Sequence, residues 1–266
     1  MSGIRYYFNH TSEKMQIKKC EDSLHASKAH FHHQISIGFV ERGSCMLEVY
    51  DKTYHIIENT MLIIPANIVH KCSPKDHSHW RFKMLYIDTL WFQSAFNKDN
   101  KDLSFLYQQI DERLYQMFAC LFDPTYIAAK DMGYESILVE SILNLLDLGN
   151  ENFYKISGQD QHISHIECVK AYLDTNYLNP VMLEDISELV HLSKYYIIRQ
   201  FQQLYGLSPY QYLVNLRINR AKELLNEQKE IIEAALQTGF YDQSHFTKCF
   251  KQYMGLTPMQ YRNYVK

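Results

Sequence analysis

The chain has 266 residues, 46% of them hydrophobic and 14% aromatic, which is enough to bury the cores of two domains and excludes a disordered chain. A formal net charge of −3 excludes recognition of a polyanion by bulk charge, so a nucleic-acid interface would have to rest on local pattern. Six scattered cysteines with no C-x-x-C pair and no secretion signal point to reduced thiols in a cytoplasmic protein; Ile137–Leu148 is broken by Glu140, Asn144 and Asp147, so no membrane span is expected.

From Gly3 to about Ile87, short runs rich in β-branched and aromatic residues alternate with turn signals: Ile35–Val40, Ser44–Tyr50, Thr53–Ile57, Thr60–Ile64 and Arg81–Ile87. This spacing predicts an antiparallel β-barrel, with Asp51-Lys52 as a tight hairpin turn and Pro65, Asn67 and Ser73-Pro74 as breaks. Between Leu103 and Leu148 the period becomes helical. Leu106, Ile110, Leu114, Met117 and Leu121 share one face, followed by Ile137, Val139, Ile142, Leu145 and Leu146. Two amphipathic helices are expected, and an exposed surplus of their stripe would make a homodimer seam. Residues 151–163 are polar enough for a linker, which divides the chain into a domain over 1–150 and an all-α domain over 164–266.

The C-terminal domain contains an internal repeat at an offset of forty-nine residues. Phe201-Gln-Gln-Leu-Tyr-Gly-Leu-Ser-Pro-Tyr-Gln-Tyr212 lies over Phe250-Lys-Gln-Tyr-Met-Gly-Leu-Thr-Pro-Met-Gln-Tyr261, with Leu183 over Ile232 and Ser193 over Asp242 upstream. Each copy reads as a short apolar helix, a turn, an N-cap (Ser193 or Asp242), a second helix closed by Gly206 or Gly255, and a restart at Ser208-Pro209 or Thr257-Pro258. That is a tandem helix-turn-helix joined by one strut, Tyr210–Asn226. Ile197, Phe201 and Leu204, or Phe246, Phe250 and Tyr253, fall on the buried face of the second helix. The opposite face carries Ser193 at its cap, then Tyr195, Ile198, Arg199 and Gln202, or Gln243, Ser244, His245, Thr247 and Lys248, side chains suited to base edges of double-stranded DNA in the major groove. The domain is not strongly basic, since eleven Lys and Arg stand against ten Asp and Glu from Gln161 to Lys266. A helical protein-interaction domain with a solvated polar face is the plainer alternative.

From about Ile166 to Tyr264 the chain resembles the AraC/XylS family of transcription regulators. The strongest part is Ile232-Glu-Ala-Ala-Leu-Gln-Thr-Gly-Phe-Tyr-Asp-Gln-Ser-His-Phe-Thr-Lys-Cys-Phe-Lys-Gln-Tyr-Met-Gly-Leu-Thr-Pro-Met-Gln-Tyr-Arg262. The resemblance implies base reading by Tyr195, Ile198 and Arg199 in the first unit, which should dominate specificity, and contacts by Gln243, Ser244, His245 and Lys248 in the second. Lys248 stands where that family usually has Arg, and Tyr241 where an acidic or small residue is common. The resemblance further implies a small-molecule effector in the N-terminal barrel, an amino acid or a sugar, and contact with RNA polymerase.

In the N-terminal part, His30 and His32 face the same way if they lie on a strand, and they could converge with His70. The spacing resembles the cupin fold, so the N-terminal half is expected to be a cupin-like barrel in a two-domain α+β chain. Metal-binding cupins add a Glu after the second His and a Gly ahead of the proline motif, where this chain has Ser36 and Asn59. Without that carboxylate no metal and no cofactor are expected. His30, His32, Ser36, His70 and Trp80 are read instead as effector-pocket lining, and a metal-dependent cupin enzyme fused to a DNA-binding module is the alternative.

Overall fold

The structure, a computed structural model, describes residues 3–8, 14–21, 27–49, 52–76, 79–97, 103–123, 137–138, 140–142 and 161–265. Strands β1 (Ile4–Phe8), β2 (Met15–Glu21), β3 (Ile35–Arg42), β4 (Cys45–Val49), β5 (Lys52–Ile56), β6 (Thr60–Ile64), β7 (His70–Pro74), β8 (Arg81–Ile87) and β9 (Leu106–Gln109) form two antiparallel sheets. One has the order β1-β2-β8-β3-β6-β9, the other β5-β4-β7. The hairpin residues Tyr50 and Asp51 lie outside the described residues.

The large sheet is buried on both faces, which explains why Ile35–Val40 is an apolar run and not an alternating one. One face, with Ile17, Ile37, Phe39, Ile63 and Leu85, packs under helices α1 (Thr89–Phe96) and α2 (Glu112–Leu121) through Phe92, Phe96, Phe118 and Leu121. The other face, with Val40, Leu62, Ile64 and Tyr86, meets Cys45, Leu47 and Val49 of the small sheet. On β3, Gly38 has no room for a side chain: a Cβ there would lie 2.8 Å from Leu62 and 2.9 Å from Met84.

The segment after Leu103 differs from its helical expectation. Leu106 lies in strand β9, which pairs with the edge of β6 (Ile63 opposite Leu106), and the helix starts only at Glu112. The open sheet edge offers a ladder of backbone hydrogen bonds that outweighs the helical spacing of Leu106 and Ile110. Asp111 caps α2 by accepting from the Leu114 amide at 2.9 Å. The apolar stripe of α2 packs on its own sheet, with Phe118 and Leu121 buried. In the second expected helix, residues 137–138 and 140–142 are helical, with Leu138 and Ile142 in the same core. Residues 143–160, which include Leu145 and Leu146, lie outside the described residues.

The C-terminal part consists of α3 (Gln161–Asn176), α4 (Leu183–Val190), α5 (Lys194–Tyr205), α6 (Pro209–Asn226), α7 (Ile231–Gln237), α8 (Gln243–Met254) and α9 (Pro258–Val265). Its punctuation follows the repeat. Ser193 accepts from the Tyr196 amide at 3.3 Å and Asp242 from the His245 amide at 2.8 Å. Gly206 and Gly255 close α5 and α8 at φ of 71° and 79°. Ser208 with Gln211, and Thr257 with Gln260, form reciprocal capping boxes.

Helix α6 is buried at 12 of its 18 positions because it serves two cores. Leu213 and Leu216 join α3, α4 and α5 through Ile166, Ile186, Ile197 and Phe201. Val214, Ile218, Leu224 and Leu225 join α7, α8 and α9 through Ala234, Phe246, Phe250 and Tyr261. Arg217 ties the units together: its guanidinium donates to the carbonyls of Tyr177 (2.7 Å) and Asn179 (2.9 Å) ahead of α4, and of Gly239 (2.8 Å) between α7 and α8.

The two halves are packed against each other. Phe31, just ahead of β3, places its ring 5.0 Å from that of Tyr212. Its amide donates to Asn215 at 2.8 Å, and its carbonyl accepts from Asn215 at 3.0 Å and Asn219 at 3.2 Å. Gln16 donates to the Tyr261 hydroxyl at 2.9 Å, and the Tyr264 hydroxyl to the Ile4 carbonyl at 3.2 Å.

Candidate DNA-reading faces and effector cavity

The second helix of each repeat presents the face expected of it. In α5, Ile197 and Phe201 are fully buried, and Tyr195, Ile198, Arg199 and Gln202 are exposed. In α8, Phe246 and Phe250 are fully buried, Gln243, Ser244, His245 and Lys248 are exposed, and Thr247 is half-buried. Ser193 is exposed, with its hydroxyl engaged as a cap. Lys194 pairs with Glu184, which draws that carboxyl below its usual range. Arg199 and Lys248 make no ion pair among the described residues, so their charge is available to a partner. Tyr195 is 76% exposed, a large amphipathic ring held in water by the rigid helix beneath it.

Between the two sheets lies a cavity of about 70 Å³. The segment ahead of β3 alternates sides: Phe31 points to α6, and His30 and His32 line the cavity. His30 and His70 form an antiparallel bridge, each amide donating to the other's carbonyl at 2.9 and 2.8 Å. The His30, His32 and His70 rings meet, with centroids 4.5 to 5.3 Å apart. Trp80 lines the same space, whereas Ser36, buried opposite Ile64 and Tyr86 in its strand neighbours, does not.

Burial, then the neighbouring His30 and His70, holds the His32 imidazole well below its ordinary pKa, and burial lowers His70 to about 4. Both rings are therefore neutral at pH 7. Their polar neighbours include residues that sequence reading passed over. Lys18 of β2 lines the cavity with its ammonium 5.9 Å from the Tyr6 ring centre and 5.7 Å from that of Phe82, and burial lowers its pKa. Lys222 of α6 donates to Gln34 at 2.8 Å, sits 4.7 Å from the Tyr86 ring centre, and is lowered to about 7 by burial, with Lys18 opposing its charge and Glu223 favouring it. The alternation of Met15 and Ile17 with Lys18 and Cys20 was the available signal for β2.

Two family models match the chain: an AraC-like ligand binding domain over residues 21–146 and a helix-turn-helix domain over residues 186–264. The HTH-type transcriptional regulator YbfI of Bacillus subtilis (strain 168) is 30% identical over 224 residues, covering 81% of this chain and 80% of YbfI. The chain belongs to the AraC/XylS family: it is a DNA-binding transcription regulator with an N-terminal ligand-binding domain. ToxT of Vibrio cholerae has the same two-domain fold, with a TM-score of 0.60 at 13% identity over 94% of this chain and 98% of ToxT. A ToxT structure bound to an unsaturated fatty acid gives 0.56 at 15% identity, over 97% of this chain and 94% of that one.

Proposed function

We propose that α5 and α8 read two successive major-groove boxes of one operator, and that a small carboxylate-bearing effector held between the sheets controls the reading. The observation that carries the DNA half is a single buried helix, α6, with an exposed polar face mounted at each end of it. Successive major-groove faces of B-DNA recur every ~34 Å, so a rigid two-unit domain can engage both from one side. Arg199 supplies a guanine-reading fork, Tyr195 and Ile198 an apolar contact to thymine methyls, and Gln202 and Gln243 amides for adenine. Ser244, His245, Thr247 and Lys248 serve the second box, with phosphate contacts among them, and Ser193 sets the start of α5.

For the effector, the cavity lining favours an acid over a sugar. Among the described residues it contains no Asp, Glu, Asn or Gln to satisfy a ring of hydroxyls, and it offers Leu47, Leu62, Trp80 and Met84 to an apolar body and Lys18 to a carboxylate. ToxT, as its structure states, binds an unsaturated fatty acid. A second copy joined through the Leu103–Leu148 segment, where Ile137 is exposed, and RNA polymerase beside the operator complete the reading of a cytoplasmic regulator.

Selection of bound sequences from a random duplex pool, run at two salt concentrations with and without a panel of carboxylic acids, tests it. A motif of two boxes about one helical turn apart is the expected result. Recovery with no motif and no salt dependence under any condition overturns it.

A further inference from the structure

We propose that His30, His32 and His70 form a three-imidazole site for a divalent first-row transition ion, zinc being the natural occupant, with its remaining coordination position open to the cavity. One ring nitrogen from each lies within 4.8 Å of the others. A tetrahedral zinc with nitrogen ligands at ~2.0–2.1 Å needs them about 3.4 Å apart, a closure within reach of side-chain rotation.

The backbone already orients two of the three rings. His30 Nδ1 lies 2.6 Å from the Lys28 carbonyl, and His70 Nδ1 lies 2.9 Å from the Ile68 carbonyl, in each case two residues back along the chain. A carbonyl only accepts, so Nδ1 carries the proton in both rings, and Nε2 is the atom that a neutral imidazole would offer to a metal. Anchoring of the far ring nitrogen to a backbone carbonyl is the outer-shell arrangement that orients histidine ligands toward a metal. The bridge between His30 and His70 holds their two backbones side by side and leaves the side chains free to close, and both residues are buried.

The donor set selects the ion and the remaining ligand. Three neutral imidazoles suit zinc and its neighbours and exclude magnesium and calcium, which need oxygen. They leave the full dication uncompensated, and Lys18 on the same cavity wall opposes it further. An anionic oxygen, such as the carboxylate of the effector proposed above, balances both charges from the open position. In that respect the site deepens the effector reading, and it does not depend on DNA binding.

The test is cobalt(II) and zinc(II) uptake by full-length protein stripped with a chelator. One equivalent of cobalt should give visible ligand-field bands without the near-ultraviolet thiolate charge transfer that the chain's cysteines would add. Zinc should displace it, and H32Q and H70Q should each weaken zinc by more than about 100-fold while exposed His55→Ala leaves it unchanged. The far-ultraviolet spectrum identifies a variant that has not folded, and wild-type uptake alone still decides. Absence of saturable cobalt binding by wild type, thiolate bands, or unweakened binding by folded H32Q overturns the site. Stripped protein that selects an operator but takes up no metal refutes this site alone; metal uptake without operator selection refutes the DNA reading alone.

Discussion

Asn215 uses both ends of its amide on one residue of the other domain, accepting from the Phe31 amide and donating to the Phe31 carbonyl. Asn219 shares the carbonyl, so Asn215→Ala leaves one group, the buried Phe31 amide, without its acceptor. The expected cost is about 1–3 kcal/mol, read as a lower urea midpoint. Arg199 belongs to the opposite category, an exposed side chain on a face that nothing in the fold requires. Arg199→Ala should leave the urea midpoint within about 0.5 kcal/mol of wild type. It should weaken operator binding by about 1–3 kcal/mol, with discrimination lost at one base pair. Unchanged discrimination in a competition assay would remove Arg199 from the base-reading face.

At the scale of elements, Arg217 is the joint on which the proposed tandem reading would depend, since three carbonyls from two helix-turn-helix units converge on its guanidinium. Arg217→Ala should cost about 3 kcal/mol of stability by chemical denaturation. It should also weaken binding to a two-box operator more than to either box alone, because the units then adjust independently. The helical elements were legible because the repeat wrote each signal twice: Ser193 and Asp242, Gly206 and Gly255, and Ser208 and Thr257 all stand at the caps expected of them. The β-domain was less so. Strand β9 was hidden because Leu106 and Ile110 keep a helical interval, and only an open sheet edge elsewhere in the chain decides between the two structures. The convergence of His30, His32 and His70 followed from strand alternation, whereas Lys18 was missed along with the strand that bears it. Arg217 and Asn215 had no signal at all, because their partners are backbone groups distant in sequence.

At the scale of the whole molecule, the two halves share a hydrophobic cluster and a set of buried polar groups, so unfolding of either exposes the other. Lys222 reports on that junction. Its folded pKa, about 7, lies below its unfolded value of ~10.4, so the unfolded chain binds the extra proton between those limits. The penalty of burying it is full below pH 7 and relaxes as pH rises toward 10. K222M should therefore be more favourable relative to wild type at pH 7 than at pH 9, the gap narrowing by about 2 kcal/mol, as urea titrations at the two pH values would measure. A constant gap would mean that the ammonium is solvated. The alternating segment His30-Phe31-His32 puts the cavity and α6 on opposite sides of the same three residues. Such a segment is a two-way transmission: any occupant of the cavity that alters the grip of Asn215 and Asn219 on Phe31 by some factor in DNA affinity must have its own affinity altered by that same factor when DNA binds. With such coupling the operator would itself be an effector of the cavity, and the protein on its promoter would hold its small molecule with a different strength from the protein free in solution.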